Sequence, residues 1–283
     1  MADTVSVIRT SGGQLRTLQA GDTPTSEGGA PAGGASTLGY VLGARLAWVS
    51  VTQVSIGTTG QTSIAADSTG VLAMEWSGLL TAAITSSGAN GLDTGSEASS
   101  TWYYVYVIGD TSGVNSPASL LSASATSPTL PSGYDVHRRV GAVRNDSGSD
   151  FIPFVQVWNG TTRRHVFDLA ETASRVLTSG SSASFANVDV SAFVPSTSEN
   201  VLILAQFETG AAGLSTHDLH LRPDGFSAST SNSVHHLRLG LVNSDKCRVN
   251  IEIPCPGQII EYDVDDAANN SVHISVAGYD DEI

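Results

Sequence analysis

The side chains able to do chemistry fall into a few groups. His217-Asp218-Leu219-His220 supplies two imidazoles, the commonest protein ligands for transition metals. On a strand, a spacing of three sends the two rings to opposite faces, so they cannot converge on one ion, and the adjacent His235 and His236 diverge for the same reason. A metal shared across a subunit interface would be the one use for them. The expectation is instead hydrogen-bonded or solvated surface histidines, with no metal. Asp263-Val264-Asp265-Asp266 and Asp280-Asp281-Glu282 offer the carboxylate oxygens that calcium takes. Neither has the twelve-residue loop with its central glycine and distal glutamate, so they read as a solvated acidic turn and a solvated acidic terminus. Trp102, Tyr103, Tyr104 and Tyr106 could stack on sugar rings, but their dense apolar run reads as core packing.

Known catalytic patterns are missing. The sequence has no Gly-x-Ser-x-Gly elbow, no Gly-Lys-Ser/Thr phosphate loop, no Gly-x-Gly-x-x-Gly and no His-Glu-x-x-His. A carboxylate pair for glycoside hydrolysis is defined by spatial separation and has no signature along the chain. No catalytic residue and no cofactor is therefore assigned. Cys247 and Cys255 are the only cysteines, at the ends of a strictly alternating run in which Val249, Ile251 and Ile253 share their face. Extended, that run holds the sulfurs roughly 26 Å apart, far beyond disulfide reach. Both read as reduced core thiols.

These residues must be carried by strands. Hydrophobic residues make up 40% of the chain and charged ones only 14%, a balance that suits sheets and turns better than exposed helical faces. Residues 102–108 are apolar on both faces, as in a central strand covered on each side. Phe154–Trp158 runs into Asn159-Gly160, a hairpin signal. Further strands are predicted at 187–190, 201–207, 237–242, 248–253, 259–264 and 271–277, a spacing that reads as sandwich or jelly roll. Phe167, Ala170, Ala173, Ser174 and Leu177 have helical spacing between strand-like flanks, so 167–177 is left open between helix and strand. Thr85–Ser100 reads as a loop.

The fold class is all-β: two β-sandwich or jelly-roll-like domains, 38–165 and 166–283, following an extended N-terminal anchoring segment. That segment, 1–22, carries Val5, Val7, Ile8, Leu15, Arg16 and Leu18 but is too short to hold a core, and 23–37 is a Gly/Pro/Ala/Ser linker. A coreless apolar leader on a linker is what a tether needs, because it orders on a partner's surface. The net charge of −14, with one lysine, leaves no basic stripe for nucleic acid. No signal peptide and no run of membrane-helix length is visible, so membrane insertion is not expected.

Three stretches resemble virion appendage proteins of tailed bacteriophages, of the tail-fibre and head-decoration type. They are Gly13–Asp22; Gly91–Ser96 with Trp102–Tyr106, Leu130–Asp135 and Arg138–Gly141; and Ile259–Tyr262 with Val272–Tyr279. The resemblance implies a β-sandwich homotrimer located in the virion, made in the host cytoplasm and held by its leader to other virion structural proteins, either a tail adaptor or nozzle or the capsid. It carries over no catalytic residue. A tail fibre or appendage, with a host-surface glycan as a candidate outward partner, is the first expectation. A capsid decoration protein is the alternative, and a carbohydrate-binding or carbohydrate-cleaving β-sandwich comes third.

Overall fold

A computed structural model describes residues 7–9, 15–17, 41–66, 73–159, 162–211, 216–226 and 237–283, the first two stretches by their backbone alone. Val5, Leu18, His235, His236 and the linker 23–37 lie outside the described residues. In chain order the strands are β1 (Val7–Arg9), β2 (Leu15–Thr17), β3 (Val41–Leu42), β4 (Leu46–Ser50), β5 (Gln53–Ala65), β6 (Ala73–Ala83), β7 (Thr101–Gly109), β8 (Ala118–Ser122) and β9 (Val136–Asn145). They continue with β10 (Phe154–Asn159), β11 (Thr162–Phe167), β12 (Arg175–Gly180), β13 (Ala186–Asp189), β14 (Ser198–Thr209), β15 (Thr216–Pro223), β16 (Leu237–Val242), β17 (Lys246–Pro254), β18 (Ile259–Val264) and β19 (Asn270–Glu282). The described part of the chain is all-β. Its only helical turn is a short 3-10 segment at Pro256–Gln258, and none of its helices is long and apolar enough to cross a membrane.

The strands form five sheets, every ladder between them antiparallel. β5 pairs with β3, β4 and β6, and β7 lies between β8 and β9. The expectation for 102–108 holds. Tyr103, Val105 and Val107 enter one core with Leu46, Ile56 and Ile64, while Tyr104, Tyr106 and Ile108 enter another with Ala118, Leu120 and Ala142. The aromatic residues 103, 104 and 106 are buried, as core packing requires.

Two further sheets share the second large core. One runs β10-β11-β19-β14-β17, with β12 also on β19, and the other runs β13-β18-β15-β16. Val201, Ile203, Ala205 and Phe207 of β14 meet Leu219 and Leu221 of β15 and Ile260, Tyr262 and Val264 of β18. Cys255 is fully buried in this core and its thiol is pushed up to about 12 by burial, while Cys247 is half-buried and both are free. Asn159 and Thr162 close the β10–β11 hairpin in register, where Asn159-Gly160 signals a turn. The expected boundary at 165 falls inside β11, which pairs with the C-terminal strand over 162–166.

The open segment 167–177 is not helical. β11 takes Phe167 and β12 begins at Arg175, so cross-strand bonding claims both flanks and leaves only a turn. Thr85–Ser100 is a loop, pinned where Leu92 tucks into the first core and Asp93 N–H donates to Leu121 O at 2.8 Å.

Candidate functional site

A buried charged and aromatic cluster assembles where β7 and β9 meet β11 and β19. The antiparallel register sets Arg163 opposite Asp281, and Arg164 opposite Asp280. Opposite residues in such a ladder share a face, and alternation sends successive pairs to opposite faces. Arg164 and Asp280 lie on one face, with Nε–Oδ1 at 2.8 Å and Nη2–Oδ2 at 2.7 Å, and Arg164 also pairs with Glu252 of β17. Those hydrogen bonds hold the Arg164 guanidinium above its ordinary range.

On the other face Asp281, fully buried, accepts two hydrogen bonds from Arg139 of β9 at 2.8 Å. Thr197 Oγ1 donates to the same carboxylate at 2.7 Å. Arg163 is 1% exposed, and burial pulls its guanidinium down to about 10, still protonated at neutral pH. The expectation of a solvated acidic terminus is therefore corrected. Asp280 and Asp281 are 4% and 0% exposed, because β19 threads between β11 and β14 and delivers its acids to Arg164 and Arg139. Reading the tail as a free end missed this, since the register is a tertiary property.

His165 sits at the centre of the same face, fully buried. Leu46 N–H donates to Gln156 Oε1 at 2.9 Å, which fixes the amide so that Gln156 Nε2 donates to His165 Nε2 at 3.2 Å. The ring stacks on Tyr279 with centroids 4.7 Å apart and meets the edge of Phe154 at 5.0 Å. Burial holds this imidazole down to about 3 from an ordinary 6.5. A proton on Nε2 would also face the amide donor. Tyr279 completes the contact by donating its hydroxyl to Ala142 O at 2.7 Å, while burial pushes that phenol up. Trp102 Nε1 donates to Ser191 O at 2.9 Å, and the Tyr104 and Ser196 hydroxyls lie 2.8 Å apart. The arrangement clamps the strands of the first half onto 191–197 and β19. A buried imidazole neutral down to acid pH and a saturated carboxylate lack the solvent access that proton transfer to a substrate needs.

A pH dependence follows. Below about 6.5 the unfolded chain takes up a proton on His165 that the folded chain refuses until about 3. The stability tied to neutral His165 is full above that range and is lost as pH falls through it, by about 1.4 kcal/mol per pH unit. Urea titrations at a series of pH values should show a steeper acid decline in the natural chain than in His165→Gln. Parallel profiles would refute the assignment.

The other expected sites resolve differently. His217 and His220 do face opposite ways, since Leu219 and Leu221 share the core side with His217. They are not surface residues, being 0% and 3% exposed. His217 Nε2 lies 2.7 Å from Asn243 Oδ1, and His220 Nδ1 lies 2.7 Å from Asp263 Oδ1, directly across the β15–β18 ladder. The Asp263 turn is thus partly a buried pairing partner. Among the described residues no three His, Cys, Asp or Glu side chains gather to hold a metal ion. Of the leader residues, Val7 and Ile8 stand on β1 and Leu15 and Arg16 on β2, with Ile8 opposite Arg16. Compared with known proteins, the chain matches no family model, no curated protein and no solved structure.

Proposed function

We propose that this chain is a structural, non-enzymatic component of a tailed-phage particle, a tail fibre or tail appendage held by its leader to other virion proteins. In this reading it is made in the host cytoplasm, assembles as a homotrimer and presents two β-sandwich domains outward, where a host-surface glycan is a candidate contact. The observation that carries the reading is the separation of the leader. β1 and β2 pair with each other in a two-stranded sheet that includes no other described strand. An isolated two-stranded ladder is marginal in water and gains stability by packing on something else. The buried clamp adds support, because a projecting appendage must transmit load between its halves and needs no cleft.

The test is removal of residues 1–22 in the phage that encodes the chain. The truncated protein should keep its β-sheet circular dichroism and vanish from purified particles on immunoblots. Incorporation at the natural level would refute the anchoring role. Copy number per particle then separates the tail reading, with few copies, from capsid decoration, with hundreds.

A further inference from the structure

Two open grooves join on the outer face of the β10-β11-β19-β14-β17 sheet. The larger, about 320 Å³, lies between Arg164, Leu202 and Glu252, and the smaller, about 170 Å³, between Glu171, Leu204 and Ser275. Asn250 lines both, so the two form one continuous surface. Register explains the floor. Leu204 of β14 lies opposite Ser275 of β19 on one side and Asn250 of β17 on the other. Alternation turns all three away from the core that takes Ile203, Ala205 and Ile274. β11 and β12 pair with successive stretches of β19, and the turn between them walls the smaller groove with Glu171 and Ser174. Ser275 is 3% exposed, and its buried hydroxyl has no hydrogen-bond partner among the described residues.

We propose that this groove binds a neutral saccharide, one sugar ring meeting Ser275 and the next meeting Asn250 and the Arg164–Glu252 pair. Size permits it, since the larger groove alone reaches the roughly 300 Å³ at which ligand sites begin. Charge excludes ions. Arg164 pairs with Asp280 and Glu252, while Arg175 and Arg248 both pair with Glu171, so neither an anion nor a cation is selected. An apolar ligand would leave the Ser275 hydroxyl unpaired and strip water from Asn250 and Glu252. A peptide strand finds little to grip, because β14 and β19 are each flanked by ladders on both sides and their backbone groups are already bonded. A sugar hydroxyl both donates and accepts. That suits a serine hydroxyl, an amide and an arginine–carboxylate pair set along one groove, while Leu202 and Leu204 meet the C–H faces of the rings.

The inference deepens the outward glycan contact proposed above and rests on it. The probes are neutral trisaccharides of glucose, galactose, mannose and N-acetylglucosamine, added at millimolar concentration to the isotopically labelled full chain and followed by amide NMR. At least one of them should shift the Asn250 side-chain amide and the backbone amides of Ser275 and Ala277. Asn250→Leu should weaken that binding about tenfold, and Ser275→Ala severalfold, as expected for the loss of one or two hydrogen bonds. Asn250 is exposed on the edge strand β17, so its replacement spares the core. If Asn250→Leu does not fold, Asn250→Asp, which keeps the shape and removes the donor, decides. Binding that shifts other residues and ignores these substitutions overturns this groove and leaves the glycan contact standing. Shifts in the groove from a blocked alanine–threonine pentapeptide, and from no sugar, overturn the saccharide class. No response to any probe overturns the groove and the glycan contact together, and leaves the anchoring role to the leader truncation.

Discussion

Replacing Arg139 with methionine should lower the unfolding free energy by about 3–5 kcal/mol, among the largest losses available to one side chain here. Asp281 is fully buried and receives two hydrogen bonds from that guanidinium. Without it the carboxylate loses two charge-assisted hydrogen bonds, which the Thr197 hydroxyl, a neutral donor, does not replace. Because Arg139 belongs to β9 and Asp281 to β19, the loss falls on the contact between the two halves of the chain. Urea unfolding followed by tryptophan fluorescence should therefore change in shape as well as midpoint, the two halves of the variant unfolding at more widely separated urea concentrations than those of the natural chain. The double variant Arg139→Met/Asp281→Leu should recover much of the loss, since an apolar pair of similar volume removes both desolvation costs. A single variant as stable as the natural chain would mean that the pair is hydrated and the clamp does not bind.

What was legible in the sequence follows from the range of the forces involved. Alternation is local, so the face shared by Cys247, Val249, Ile251 and Ile253 can be read directly, and β16 and β18 have their predicted limits. The two-sided apolar character of 102–108 likewise identifies a covered central strand. β5 and β6 are less visible because Thr, Ser and Gly interrupt their apolar pattern, and because the ladder shifts register between Gly57 and Gln61. The clamp was illegible. Arg139, Arg163, Arg164, Asp280 and Asp281 look like ordinary surface charges in a one-dimensional reading. Only the pairing of β11 with β19, more than a hundred residues later in the chain, turns them into a buried network. The signal that could have drawn attention is charge economy. In a chain with 13 basic residues, Arg163-Arg164 in the middle of an apolar hairpin requires acidic partners, and Asp280-Asp281 is the matching adjacent pair.

Gly278 gives the second large effect, and it tests the same ladder through shape instead of charge. Gly278→Ala should destabilise the chain by about 3 kcal/mol or more, although alanine is small and its backbone requirements are ordinary. The reason is contact. A β-carbon at 278 would lie 2.0 Å from His165 O and 3.1 Å from Val166 Cα, both backbone atoms that no rotamer change can move. β11 would have to retreat from β19, carrying Arg163, Arg164 and His165 away from their partners. Gly60→Ala is the control, since the nearest atom there is Thr58 Oγ1 at 3.7 Å and the site is exposed. It should change stability by no more than about 0.5 kcal/mol. If the two variants unfold at the same urea concentration, β11 and β19 are not in the close register on which the clamp depends. If Gly278→Ala alone falls, and its acid sensitivity from His165 weakens with it, then one close approach of two backbones organises the buried network of Arg163, His165 and Asp281.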